Sequence, residues 1–244
     1  MIPYLYGQFR PFTFRWGAKY FAPRLTGDKM KKFLAFILVT SIGYAQDVTL
    51  AFGYNLSGET NKSIYKYGTN GVNGTQKPHN GDTNFSPSVD LSYSRAVKGP
   101  LSIALGVSYD LSSNKAGSEY GLYSGTVYSS ETEISNHYTI YIQPTYDLGH
   151  HTSVFATLGF DKATITTVDK NGLWVYNPGT FKKNTNGKTY GIGIQHNLND
   201  KFNIQFSVKY TGYDDISFTT ATGPVNFTQK VGSAGAGFSI GYKF

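Results

Sequence analysis

The chain has 244 residues and no Cys, and only 15% of its residues are charged, whereas Gly (28), Tyr (20) and Phe (17) are abundant. The lack of Cys excludes disulfides and Cys-based metal sites, and the composition is typical of strands and turns rather than of a helical bundle. The net charge of +7 does not indicate nucleic-acid binding, because residues 1–46 carry +6 of it and the remainder is nearly neutral.

A signal peptide is predicted close to the start of the chain. A short basic stretch, 30–32, precedes an apolar run, 33–42, that is too short to span a membrane as a helix. A small-x-small cleavage motif follows and ends at Ala45. We therefore expect residues 30–45 to be a cleaved signal peptide. The alternative interpretation is that the apolar run is a buried core helix.

Residues 1–29 precede this signal peptide and are basic and aromatic without a clear period. Because signal peptides begin at the start of a chain, Met30 is predicted to be the true initiator, and 1–29 an N-terminal extension from a mis-called start. The remainder, 46–244, is predicted to form one domain.

Apolar and polar residues alternate along eight segments of this domain. In chain order the segments are 48–56, 85–93, 101–111, 134–146, 154–160, 190–195, 202–210 and 234–244. A period of two predicts strands with one apolar and one polar face, and about 9–11 residues cross a bilayer when the strand is tilted. Pro87 and Pro144 are expected at strand ends or bulges, because Pro lacks a ladder donor.

The connections between these segments alternate in length. Short, turn-like connections occupy 97–100, 147–151 and 197–201, whereas long polar ones occupy 57–83, 113–132, 169–187 and 214–226. An even strand number with short turns at one end and long loops at the other is typical of outer-membrane barrels. The predicted fold is therefore an all-β, eight-stranded antiparallel up-and-down transmembrane β-barrel with short periplasmic turns and long extracellular loops.

The period alone does not say which face is buried, because a soluble lipocalin-like barrel has the same alternation with its apolar face inward. The residues of the polar face favour the membrane, since an eight-stranded barrel has an interior just wide enough to be filled by side chains. We expect a polar cluster in the lumen, around Lys209. Its predicted members are Asp90, Asp110, Asp161, Gln143, Gln195, Gln205 and Lys209.

The chain ends in an aromatic residue, and Phe238, Ile240, Tyr242 and Phe244 share one face of the last segment. This ending resembles the terminal assembly signal of bacterial outer-membrane barrels, and residues 47–244 as a whole resemble small OmpA/OmpX-type and opacity-like barrels. The resemblance implies a location in the outer membrane of a Gram-negative bacterium. It also implies insertion by the barrel-assembly machinery and contact with outer-membrane lipid and lipopolysaccharide.

The histidines are the candidates for catalysis. His137, near Glu131 and Glu133, is expected at the extracellular rim, where a hydrogen-bonded histidine is favoured over a catalytic one. His151 and Ser153 share a strand face but lie beside a predicted periplasmic turn. No His, Asp and Glu spacing indicates a metal site, and no motif indicates a cofactor.

The sequence therefore favours a non-enzymatic barrel with a structural or surface-interaction role, and a possible extracellular ligand of loops 57–83, 113–132 and 169–187. Three alternatives stay open: a lipid A-modifying enzyme, a narrow channel and a soluble lipocalin-like ligand binder. A Ser or His within hydrogen-bond reach of an acid at the outer rim would favour the enzyme.

Overall fold

The computed structural model describes residues 48–67, 72–75, 82–123, 126–170, 179–219 and 225–244. The predicted extension and signal peptide lie outside the described residues. In chain order the strands are β1 (Val48–Tyr67), β2 (Val72–Thr75), β3 (Thr83–Lys98), β4 (Leu101–Asp110), β5 (Asn114–Tyr123), β6 (Thr126–Gly149), β7 (Thr152–Asp169), β8 (Gly179–Asn197), β9 (Phe202–Tyr213), β10 (Ile216–Thr219) and β11 (Val225–Lys243). No helix within these residues has the length and hydropathy of a membrane span.

Eight of the strands close into one antiparallel ring, so the predicted fold is confirmed. Around the ring the order is β1, β3, β4, β6, β7, β8, β9 and β11, and β11 pairs with β1. At this closing seam Leu50 lies opposite Tyr242 and Phe52 lies opposite Ile240. Closure leaves no unpaired strand edge in the ring, as a bilayer requires of a spanning β structure.

Three additional strands lengthen the wall at one end of the ring. β2 pairs with β1, β5 with β6 and β10 with β11. We call this the loop end, and the opposite end, which holds Val48 and Phe244, the turn end. The predicted bounds of the long loops were wrong, because 57–67, 114–123, 126–132, 179–187 and 216–219 are strands. Polar residues continue these strands because main-chain pairing does not require apolar side chains.

The apolar faces of the strands point outward. Phe85 is 68% exposed and Ile192 is 65% exposed, whereas Asp161 on the inner face is wholly buried. The soluble alternative, with apolar residues inward, is therefore wrong. An exposed apolar band around a polar interior is the arrangement of a barrel that has lipid as its solvent.

A β-bulge changes the side-chain alternation of β6. Ser135 pairs with Thr164 and Tyr138 pairs with Lys162, so Asn136 and His137 together face a single residue of β7. Asn136 takes a left-handed conformation there, with φ of 50°. Odd-numbered residues of β6 face the interior on the turn side of this bulge, and even-numbered residues do so on the loop side.

The two prolines lie inside strands rather than at strand ends. Pro87 is within β3, opposite Tyr54. Pro144 is within β6. Ile142 and Thr145 both pair with residues of β7, whereas Gln143 and Pro144 do not. The missing donor of Pro144 accounts for this gap.

Candidate functional site

The predicted lumen residues all lie on the inner face, but at three heights rather than in one group around Lys209. From the turn end to the loop end, the structure places Gln143, Gln195 and Gln205 first, Asp90 and Lys209 next, and Asp110 and Asp161 last. In the described part of the chain, no carboxylate lies within 4 Å of the Lys209 ammonium group. The interior is therefore a stack of separate layers.

The layer at the turn end consists of amides. The Gln205 side-chain amide donates to the Gln195 oxygen over 2.9 Å, and the Gln195 amide donates to Asn197 over 3.0 Å. These residues border a polar vestibule of about 320 Å³, whose lining also contains His151. A mouth lined by amides and hydroxyls is compatible with water at this end of the barrel.

The second layer joins Tyr141 to Asp90. The Tyr141 hydroxyl donates to Asp90 over 2.7 Å. Gly106 lies opposite Tyr141 on β4, and a Cβ at Gly106 would overlap the tyrosine ring. Gly106 is thus required for the ring to lie flat over the neighbouring strand and reach Asp90.

The third layer is centred on His137, which lies between two carboxylates. Its Nδ1 is 2.7 Å from Asp110 Oδ2, and its Nε2 is 3.0 Å from Asp161 Oδ1. Thr139 donates to Asp161 over 2.6 Å, and Asn55 donates to Asp110 over 3.3 Å. Because ionised carboxylates only accept hydrogen bonds, both contacts are hydrogen bonds when the imidazole is doubly protonated.

The expected position of His137 at the rim was wrong. Its side chain lies inside the barrel, whereas Glu131 forms an exposed ion pair with Lys170 at 2.5 Å. A sequence signal for the inner position existed. His137 has the same odd parity as Thr139, Tyr141 and Gln143, which face inward when the even-numbered isoleucines face lipid.

A buried glutamate lies beside this layer. Glu59 is 1% exposed, and one of its oxygens accepts hydrogen bonds from Ser57 over 2.8 Å and from Ser233 over 3.0 Å. With Asp110 and His137 it borders an internal cavity of about 70 Å³. Glu59 is absent from the predicted lumen residues because 57–83 is predicted to be a loop, although the alternation of β1 continues through Glu59.

An apolar layer closes the interior on the loop side of His137. Its members are Ala116, Ile134, Ala163, Ile165, Tyr213, Ile216 and Val231, all at most 9% exposed. The Tyr213 ring packs edge-on against the His137 ring, with 5.9 Å between ring centres. The bulge in β6 turns Ile134 inward, so this layer depends on the inserted residue.

A hydrogen-bonded layer adjoins the apolar layer on the side of the loop end. The Gln229 amide nitrogen donates to the Thr132 hydroxyl over 2.8 Å, and the Thr167 hydroxyl donates to the Gln229 oxygen over 3.0 Å. Gln229 is on β11, whereas Thr132 and Thr167 are on β6 and β7, at least three strands away around the ring. The side chain therefore crosses the interior.

These arrangements limit the chemistry that the described residues offer. A general-base histidine keeps one ring nitrogen free for the nucleophile, but both nitrogens of His137 contact carboxylates. His151 lies in an exposed turn, and the side chain of Ser153 is buried. Within the described residues, no group of three or more His, Cys, Asp or Glu side chains is placed to hold a metal ion.

The terminal residues singled out in the sequence belong to the outer surface. Phe238, Ile240 and Phe244 are exposed, and the Tyr242 ring packs edge-on against both Phe202 and Phe244. The last strand therefore contributes an apolar, aromatic face near the turn end.

Comparisons with known proteins agree with this architecture. Residues 33–244 match the family model described as the outer membrane protein beta-barrel domain. Among solved structures, OprG of Pseudomonas aeruginosa is similar with a TM-score of 0.50 and 14% identity, covering 82% of this chain and 96% of OprG. Ail, the attachment invasion locus protein of Yersinia pestis, has a TM-score of 0.37 and 14% identity, covering 80% and 99%.

The outer membrane protease OmpT of Escherichia coli has a TM-score of 0.45 and 7% identity, covering 81% of this chain and 97% of OmpT. No curated protein matches the chain in sequence. At 14% identity the likeness to OprG concerns the fold alone.

Proposed function

Because the chain belongs to the outer membrane protein beta-barrel domain family of Gram-negative outer membranes, we propose that it is a non-enzymatic barrel with a structural and surface-interaction role. In this membrane the turn end faces the periplasm and the loop end faces the exterior. The observation that carries the proposal is the closed interior, in which an apolar layer and the Gln229 layer lie between the periplasmic vestibule and the exterior.

A closed interior argues against the narrow channel. To reach the exterior, an ion in the periplasmic vestibule would have to pass the layer that contains Ile134, Ile165 and Ile216, which are at most 3% exposed. Planar-bilayer recordings test this directly. We expect no conductance steps from the purified, folded protein, and sustained unitary openings would overturn the closed-barrel proposal.

The length of the strands supports a surface role. β6 has 24 residues and β1 has 20, whereas about 9–11 residues suffice to cross the bilayer. The excess lies at the loop end, so paired strands extend beyond the membrane as a wall. We propose that this wall and the segments expected to bind a ligand (57–83, 113–132 and 169–187) contact extracellular partners.

Surface display can be tested with introduced cysteines, because the natural chain has none. Lys182 is exposed on β8 near the loop end, and Asp200 is exposed in a turn at the other end. In intact cells, a membrane-impermeant maleimide should label Lys182→Cys and not Asp200→Cys. After lysis it should label both, and the reverse pattern in intact cells would contradict the proposed orientation.

The alternative of a lipid A-modifying enzyme finds little support in the interior. His137 is within hydrogen-bond reach of two acids, and it contacts a carboxylate at each ring nitrogen. It lies on the turn side of the apolar layer, away from the outer rim. We expect the mass spectrum of lipid A to be the same in cells with and without the protein. A new lipid A species that disappears with His137→Gln would establish the enzyme instead.

A further inference from the structure

We propose that Lys162 and Lys188 form a binding site for the phosphate groups of lipopolysaccharide on the outer wall of the barrel. This inference deepens the proposed surface role, because it names one partner and the residues that contact it. It depends on the orientation in the membrane and not on whether the lumen conducts.

Both lysines lie at the loop-end border of the lipid-facing surface. Phe160 and Tyr190, each 53% exposed, are the last outward aromatic residues of β7 and β8 toward the loop end. Lys162 and Lys188 are the next outward residues on the same two strands, about 7 Å farther along. Aromatic residues of membrane barrels lie at the interface, so the two ammonium groups lie at the level of the outer-leaflet headgroups.

The two lysines lie close enough together to share one anion. Phe160 pairs with Lys188, and Lys162 pairs with Asn186, so the lysines are diagonal neighbours on one face. Diagonal neighbours of a β pair are about 7–8 Å apart at their Cα atoms. Two long, flexible side chains at this separation can converge on one phosphate group. Each lysine would attract the phosphate as a compact positive charge.

The positive charges of the two lysines are not compensated by neighbouring carboxylates. Neither Lys162 nor Lys188 has a carboxylate within 4 Å among the described residues. Two other lysines toward the same end are paired, Lys170 with Glu131 at 2.5 Å and Lys230 with Asp215 at 3.1 Å. Adjacent like charges on a sheet face are unfavourable by themselves, and an anion between them offsets the repulsion.

The acidic residue nearest in register is Asp214. Its backbone N–H donates to the Asn186 carbonyl over 2.8 Å, which places it beside Asn186 and diagonal to Lys188. It forms no ion pair with either lysine. Asp214 therefore weakens the local attraction for a phosphate, and its removal should strengthen binding.

The position of Lys162 and Lys188 on rigid, paired strands favours an anion that belongs to the membrane. Both lysines lie within the β7–β8 ladder, and the residues on their membrane side are lipid-facing. The anion must approach along the outer wall at headgroup height. In the outer leaflet of a Gram-negative outer membrane, the phosphate groups of lipid A occupy this level.

The test compares binding of diphosphorylated and dephosphorylated lipid A to the folded, detergent-solubilised barrel. Lys162→Gln with Lys188→Gln should weaken binding of diphosphorylated lipid A by about thirtyfold, since each lysine near an anionic lipid surface contributes about fivefold. Binding of dephosphorylated lipid A should not change. Asp214→Asn should tighten binding of the diphosphorylated form.

The matched control is Lys230→Gln, which removes a lysine that already has a carboxylate partner. It should leave the affinity unchanged. Heat modifiability on gels confirms that every variant is folded before it is titrated. Equal affinity of the wild type for both lipid A forms, or an unchanged affinity of the double variant, would overturn the site.

Inorganic phosphate provides the last arm of the test. If inorganic phosphate at low millimolar concentration displaces diphosphorylated lipid A completely, the lysines recognise the phosphate group without the lipid, and lipopolysaccharide is overturned as the specific partner. Retention of the lipid at that concentration supports it. Conductance and cysteine labelling are unaffected by these outcomes, so failure of the lipid site is distinguishable from failure of the proposed function.

Discussion

The Gln229 amide nitrogen lies 2.8 Å from the Thr132 hydroxyl oxygen, although the two residues are 97 positions apart in the chain. Gln229 is wholly buried, so the contact is made inside the barrel, between β11 and β6. A side chain that joins distant walls occupies the lumen at that height. It also ties together strands that share no main-chain pairing.

Gln229→Ala should lower the free energy of unfolding by about 1–3 kcal/mol, because it removes a buried amide and the partner of two hydroxyls. Urea unfolding in lipid vesicles, followed by circular dichroism, measures this. Thr228→Ala, whose hydroxyl contacts Ser217 at the exposed surface, is the neighbouring control and should have little effect. A variant as stable as the wild type would show that the bridge contributes nothing.

His137→Ala should destabilise the barrel by about 3–5 kcal/mol, because Asp110 and Asp161 would both lose the buried side chain that lies within hydrogen-bond distance of each of them. Adding Asp161→Asn removes one of the two charges and should recover part of the loss. The same unfolding measurement on both single variants and the double variant gives the coupling energy. Strictly additive losses would mean that His137 does not neutralise the carboxylates.

Gly106→Ala should cost about 1–3 kcal/mol, because the new methyl group would displace the Tyr141 ring and break its hydrogen bond to Asp90. Gly58→Ala is the matched control. The nearest atom to a Cβ at Gly58 is the Ala234 carbonyl oxygen at 3.8 Å, an ordinary contact. Similar losses in the two variants would assign the effect to backbone preference rather than to the tyrosine.

Phe244→Ala should reduce the amount of folded protein in the outer-membrane fraction, because the end of the chain resembles the terminal assembly signal of outer-membrane barrels. Folded protein is recognised by heat modifiability, a difference in gel migration between unboiled and boiled samples. Phe85→Ala serves as control, because Phe85 is a lipid-exposed aromatic far from the chain end. Quantitative immunoblots of membrane fractions make the comparison. Equal losses in both variants would point to a general need for aromatic surface.

The signal-peptide prediction is tested by N-terminal sequencing. Protein purified from the outer membrane should begin at Gln46. Sequencing of the unprocessed precursor tests the start at Met30, and a precursor that begins at Met1 would contradict the interpretation of 1–29 as a mis-called extension.

The apolar faces of the strands were predicted correctly from the sequence. Alternation such as that of Leu101, Ile103 and Leu105 is a local property, and a period of two assigns these residues to one face without knowledge of any other strand. The short and long connections likewise indicated which strands are neighbours. Where the polar segments begin, however, the loss of apolar residues does not mark the end of pairing, because main-chain hydrogen bonds continue β1 to Tyr67.

Thus the amino-acid sequence by itself determined the number of ring strands and their antiparallel order, because both depend on local periodicity and connection length. The period of two left the direction of the apolar faces open, and the exposure of Phe85 and Ile192 in the closed barrel decided that they point outward. Only the tertiary structure decided which inward residues meet. The stagger of the closed ring places His137 between Asp110 and Asp161, and one inserted residue in β6 turns Ile134 into the lumen. Stagger and bulges depend on pairing between distant strands, so no single segment specifies the layers that close the interior.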